Sequence, residues 1–420
     1  MSFNPLNEKP IKESDWFEDW KKLYPKAYDK NAVDPYTKVR IILMNGTEFE
    51  QSGFYHNFAR HCTDNELRRQ IALIRRSDQQ QQKRISYLKP IDETILETTI
   101  GYEQLAVDLT ALMARRERDA YVKKSLDFAL LEDFDHLYRY SDLLEMEQGV
   151  LGEKLVGGYT EIMPGRPTIA EHRHPFDDVR RGINNRTADP LTKLQTAIIT
   201  AAEQQTMNYY MNVGTFYQGS DLGRRLYMEI AMIEEQHVTQ YESLMDPSAT
   251  WLECALMHEY AECYLYYSML EDETEEKVRL IWEAHLRQEI AHLHKVAELL
   301  NKYEKKDARE LLNGGEFPEL IAFNKNADAN KTYIRNILSR TVTNSAMLEE
   351  IVPLKSLPEN YEFFKYNDKV NRSPAYVASH DVIDKYILEC GEDYRFEEQP
   401  HPVKSLRNRL VDNIDIGRKP

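Results

Sequence analysis

The chain has 420 residues, 42% of them hydrophobic, and its 70 acidic against 54 basic side chains leave a formal charge of -16. That length suits two domains or one large one with a buried core, and the acidic balance disfavours nucleic acid or an anionic membrane, which both need a concentrated positive face. Cys62, Cys254, Cys263 and Cys390 stand far apart without a CxxC pair, which excludes a cysteine-bound zinc or rubredoxin module and a readable disulfide framework. With no basic region leading into an apolar run at the N-terminus and no run of about 18 apolar residues, the expectation is a cytoplasmic protein that spans no membrane.

Residues 1–45 are rich in Lys, Asp, Pro and aromatics without periodicity and read as an arm that packs Trp16 and Trp20 against something larger. From 46 to 303 the pattern is helical, broken at 147–195 by a Gly- and Pro-rich connector. Residues 304–420 alternate short helical pieces with loops and are expected to wrap the helical body. The helical part divides into four hairpins, 46–90, 96–146, 196–247 and 253–303. An internal repeat relates them: RRQIALIRRSDQQQQKRISYLKP, ending at Pro90, aligns with RRLYMEIAMIEEQHVTQYESLMDP, ending at Pro247. Likewise the segment around His136 aligns with that around His292. The expected architecture is all-α, with two related four-helix bundles, the first from 46–146 and the second from 196–303.

The chemistry-bearing residues concentrate in 203–292. Glu234 and His237, and Glu289 and His292, stand three apart, so each helix offers one carboxylate and one imidazole on a single face. This spacing alone is weak, since an acid three residues before a His should occur about twice by chance in this composition, and it occurs five times. The loop lengths add more. Glu203 lies 31 residues before Glu234 and Glu259 lies 30 before Glu289, with turn-forming runs midway at 218–221 and 271–275. Each arm then climbs about 22 Å at 1.5 Å per residue, so Glu203, Glu234, His237, Glu259 or Glu262, Glu289 and His292 are expected to meet at one level. Four carboxylates with two imidazoles balance two divalent ions, iron or manganese by donor type, whereas the same carboxylates without metal would repel one another.

Tyr210 and Tyr266, seven residues after Glu203 and Glu259, fall on the ligand faces, where a phenol can bond a carboxylate or simply pack. His258, His285 and His294 face elsewhere on the helical wheel. The connector run Glu171 to Asp178 is dense in ligand types and could cap the site or bind a second metal, although a solvated loop with local salt bridges accounts for it better. The first bundle keeps Glu103, Asp133 and His136, but its first hairpin offers at most Glu50, Asp78 and an amide, with Gln80 or Gln81 where an imidazole would stand. It reads as a degenerate, metal-poor copy.

The order Glu203, Glu234-x-x-His237, Glu259 or Glu262, Glu289-x-x-His292 resembles the ferritin-like superfamily, and rubrerythrin-type di-iron carboxylate proteins in particular, over about 110 residues. The resemblance implies a di-iron, dimanganese or mixed centre in an oxidoreductase that activates or reduces dioxygen or peroxide, with Glu259 and Glu262 alternating as ligand. An external electron donor is then needed, because the rubredoxin module is missing. The same superfamily holds iron-storage proteins and manganese catalases, which stand as alternatives, and homo-oligomers are common to that reading.

Overall fold

The structure is a computed structural model that describes residues 3–162 and 178–338, and every regular element among the described residues is helical. The long helices are α1 (Pro35–His61), α2 (Asn65–Ser86), α3 (Ile95–Arg116), α4 (Ala120–Gln148), α6 (Pro190–Phe216), α7 (Asp221–Leu244), α8 (Trp251–Asp272) and α9 (Glu276–Glu304). Shorter ones are α5 (Gly152–Leu155), α10 (Ala308–Leu311) and α11 (Ala327–Leu338). They pack as antiparallel pairs consistent with two four-helix bundles, and none is long and apolar enough to cross a membrane.

Local chemistry sets the boundaries. The Asp34 carboxylate caps the Tyr36 amide and Pro35 occupies the first turn, where its missing N–H costs nothing, so α1 begins eleven residues before the expected 46. Thr94 with Glu97, and Thr250 with Glu253, form full capping boxes at the starts of α3 and α8. The α4 and α9 C-caps, Gly149 and Lys305, both turn left-handed, at φ 65° and 57°. These matched features fall 155 or 156 residues apart, as do Asp34 and Asp189, Pro35 and Pro190, so the repeat extends down to the caps.

The repeat is as expected in kind, but the hairpins do not pair in chain order. Among the described residues, one compact unit comprises 3–93, 182–205 and 242–324, and the other 94–162, 178–181, 206–241 and 325–338. The first bundle therefore joins hairpin α1/α2 to hairpin α8/α9, and the second joins α3/α4 to α6/α7, with α6 running unbroken through the division. In the first unit α1 packs on α8 and α2 on α9. The fully buried Arg40 of α1 bonds Asp272 at 2.9 Å and Glu273 at 3.2 Å, beside the Trp282 indole, which donates to Glu273 at 3.1 Å. In the second unit Tyr227 of α7 meets Thr99 of α3 at 2.6 Å, and Arg139 of α4 meets Glu229 of α7 at 2.8 Å.

The flanking segments differ from expectation in part. Trp16 is buried, but Trp20 is 73% exposed and does not anchor the arm. Short α11 packs on α3 and α4 within the second unit. The connector run Glu171 to Asp177 and residues 339–420 lie outside the described residues.

The Arg40 contact tests the pairing. Arg40→Met removes the counter-charge from the buried Glu273 and the part-buried Asp272 and should destabilise by about 3–5 kcal/mol in urea unfolding. A double-mutant cycle with Glu273→Gln should recover part of that loss, giving a coupling energy well above the roughly 0.5 kcal/mol of independent sites; additive losses would mean that α1 does not rest on α8.

Candidate metal centres

Each bundle carries its own buried cluster. In the second, Asp133, Glu203, Glu234 and His237 present ligand atoms all within 4.8 Å of one another, and so do Glu103, His136 and Glu234. Glu203 stands three residues before the cut between units, and the continuous α6 carries it together with Tyr210. Glu234 belongs to both groups and would be available to a cation in either one. Two helices, α3 and α6, thus supply a Glu each, while α4 and α7 supply an acid-x-x-His pair each.

The imidazoles are oriented for ligation. His136 Nδ1 lies 3.0 Å from Glu234, and His237 Nδ1 lies 3.3 Å from both Asp133 and Glu234. The other nitrogen of His237, Nε2, is 2.8 Å from the Glu132 carboxylate, a partner that fixes the ring so that Nδ1 points inward. Burial first, and the nearby His237 second, push the His136 imidazole down to about 3. It is therefore neutral near pH 7, the form that binds a metal. The Tyr210 hydroxyl donates to Glu103.

In the first bundle, Asp78, Glu289 and His292 form one group and Glu48, Glu262 and Glu289 another, so Glu289 is shared as Glu234 is. His292 Nδ1 lies 3.2 Å from Asp78, 3.2 Å from Glu289 and 3.8 Å from Glu259. Trp16 closes edge-on over the His292 ring at 4.7 Å. Tyr266 donates to Glu48, Tyr55 to Glu259 and Gln81 to Glu289. Glu48 Oε2 and both oxygens of Glu262 have no hydrogen-bond donor, although each residue is at most 2% exposed.

A buried acceptor without a donor costs free energy comparable to a lost hydrogen bond, and more when charged, so such oxygens call for a proton or a cation. Burial, then repulsion among the acids, raises Glu48, Glu259 and Glu262 well above the usual carboxylate range. Burial likewise pushes Asp78 up to about 6. Burial alone would lower the His292 imidazole, but the Glu289 and Asp78 carboxylates against it hold it well above its usual value. Burial would raise Glu289, yet the charged His292 beside it keeps it low.

The seven ligands named from sequence are thus all buried, but they do not share one site. Glu203, Glu234 and His237 belong to one cluster, and Glu259, Glu262, Glu289 and His292 to the other. Asp133 and His136, read as remnants of a metal-poor copy, complete the richer cluster, while the missing imidazole, at Gln81, belongs to the cluster of His292. Glu48, not Glu50, faces the first cluster; Glu50 instead meets His258 at 3.3 Å. His285, expected to face elsewhere, is buried with Nδ1 3.1 Å from the Tyr266 hydroxyl, while His294 meets the Pro5 carbonyl at 3.1 Å. Glu48 was findable, since it precedes Asp78 by the same 30 residues that separate Glu103 from Asp133. Glu132 and Gln81 had no sequence signal beyond adjacency to a ligand.

No family model, curated protein or solved structure matches the chain. The ferritin-like resemblance therefore rests on the ligand pattern and the bundles.

The raised carboxyls give the metal-free protein a definite pH response. Between their ordinary values near 4 and their folded values, the folded state binds more protons than the unfolded one, so stability falls as pH rises through that window. His292, also raised, adds the same sign at higher pH, whereas Glu289, held low, and His136 and His285, both pushed down to about 3 by burial, add the opposite and are outnumbered by the four raised acids. In chelator the melting temperature should decline from about pH 4 through 6 and above. Saturating divalent metal, which displaces those protons, should reverse the slope; a metal-free slope that rises over this range would contradict the clusters as described.

Proposed function

We propose that the second bundle holds a di-metal redox centre, iron or manganese, and that the protein is an oxidoreductase acting on dioxygen or peroxide. The observation that carries this reading is the donor set: four carboxylates and two imidazoles in two overlapping groups that share Glu234. Four negative charges match two divalent cations, and mixed oxygen and imidazole donors suit iron or manganese. Held by these residues, a pair of such ions would supply two one-electron changes to dioxygen or peroxide.

The chain's own groups support that chemistry. Glu132 holds the His237 ring in orientation, and Tyr210 holds the Glu103 carboxylate and a proton beside it. All six ligand side chains are at most 1% exposed, which keeps bulk water from quenching reactive species.

The first bundle favours a second role. Replacing an imidazole by Gln81 and adding Glu262 leaves five carboxylates and one imidazole, with one group made of oxygen alone. Such a set prefers hard cations such as manganese, magnesium or calcium. We assign it to metal holding without oxygen chemistry, so the chain takes up to four metals where sequence alone suggested two.

Anaerobic loading with ferrous iron and elemental analysis test both assignments. Glu234→Gln should empty the second bundle and leave the first filled, and Glu289→Gln should do the converse. On adding oxygen or peroxide, the parent and Glu289→Gln should develop ferric absorption within the dead time to seconds, while Glu234→Gln should not. Bound iron that stays ferrous in the parent with both oxidants would end the oxidoreductase reading. Uptake far beyond four irons per chain would point to storage.

A further inference from the structure

The second bundle surrounds its cluster with phenols that the ligand set does not use. Tyr210, bonded to Glu103, lies 5.4 Å from Tyr140 and 5.7 Å from Tyr227 between ring centroids. Tyr140 and Tyr227 are 4.9 Å apart, and Tyr227 is 5.2 Å from Tyr217. On the other side Tyr209 lies 5.6 Å from Tyr210 and stacks on Tyr102 at 4.2 Å. Tyr217 in turn donates its hydroxyl to Glu147 and lines a surface cavity with Glu147 and Gly219. Three rings, Tyr210, Tyr227 and Tyr217, thus connect a ligand carboxylate to a surface cavity, with Tyr140, Tyr209 and Tyr102 packed beside them.

Packing alone does not require them, and the repeat supplies the control. At the positions 155 or 156 residues away, Tyr209, Tyr102, Tyr227, Tyr140 and Tyr217 are matched by Phe54, His258, Ile71, Val296 and Cys62. Only Tyr210 has a phenolic counterpart, Tyr55, which donates to Glu259 as Tyr210 does to Glu103. The same bundle geometry is therefore built with Phe, Ile and Val, and the phenols accompany the cluster that keeps both imidazoles.

We infer that Tyr210, Tyr227 and Tyr217 form an electron relay between the metal centre of the second bundle and the protein surface. The inference rests on the redox reading above. Tyr210 gives one electron to the centre oxidised by dioxygen or peroxide and its phenolic proton to Glu103. Tyr217 then gives one electron, across the Tyr227 ring, to the Tyr210 phenoxyl, which recovers its proton from Glu103. The Tyr217 proton passes to Glu147. An external one-electron reductant at the Tyr217 cavity restores Tyr217, which takes its proton back from Glu147, so the net change is one electron from reductant to centre. Both proton acceptors are already hydrogen-bonded to their donors, so no group must move before each transfer.

The test oxidises the iron-loaded full chain with peroxide, follows the metal by absorption and the phenols by electron paramagnetic resonance, then adds ascorbate. The parent should show a transient tyrosyl signal and fast re-reduction. Tyr210→Phe should abolish the signal. Tyr217→Phe and Tyr227→Ile should slow re-reduction by about a hundredfold, the low end of what a positioned proton partner contributes. Metal content and melting temperature serve as the folding check, and Tyr227→Phe, which keeps the bridging ring, should re-reduce nearly as the parent does. Metal oxidation without a tyrosyl signal, and with re-reduction unchanged in Tyr217→Phe and Tyr227→Ile, would overturn the relay alone. Failure of the parent to oxidise at all would overturn the redox reading and the relay with it.

Discussion

Nine carboxylates buried at mid-height in two helical bundles set the terms for the rest of the structure. Glu48, Asp78, Glu259, Glu262 and Glu289 crowd one core, and Glu103, Asp133, Glu203 and Glu234 the other. A carboxylate taken out of water must be protonated, hydrogen-bonded or paired with a cation, and several in contact cannot all stay charged without one. The helices respond with neutral donors on some oxygens, from Tyr55, Tyr210, Tyr266, Gln51 and Gln81, while others are left facing inward. Hydrogen bonds thus orient the acids without neutralising them, an arrangement compatible with a bound cation.

The two cores are variants of one plan. His237 and Gln81 occupy matching positions, as do Ala106 and Glu262, so the bundle that loses an imidazole gains a carboxylate. That exchange trades a borderline nitrogen donor for a hard anionic oxygen and shifts metal preference accordingly. The phenols around Tyr210 follow the imidazole-rich core, which ties their presence to chemistry more than to helix packing.

Peripheral segments act on these cores as well. The backbone carbonyl of Trp16 accepts from Ser77 at 3.3 Å and Gln288 at 2.9 Å, so the N-terminal segment is pinned between α2 and α9 with its indole over His292. An aperiodic arm offers no sequence pattern for such docking, because contacts made one residue at a time leave none. The exposed Trp20, only four positions on, shows how little aromatic content alone decides burial.

Helix content, the four hairpins, the repeat and the acid-x-x-His faces were legible in the sequence because they are local: 3.6-residue periodicity and arm length act within one hairpin, although α1 starts at Pro35 and not at 46. The partnering of hairpins was not legible, and the reason is in the same numbers. Glu48 to Asp78, Glu103 to Asp133 and Glu259 to Glu289 each span 30 residues, and Glu203 to Glu234 spans 31. Every hairpin therefore presents its ligands at the same height, and any two could assemble a plausible site. Only tertiary contacts break that degeneracy. Arg40 with Asp272 and Glu273 draws the first hairpin to the fourth, and Tyr227 with Thr99 and Arg139 with Glu229 draw the third to the second. The sequence by itself determined which residues can be ligands, while the surfaces that meet in the folded chain decided which of them share a cluster.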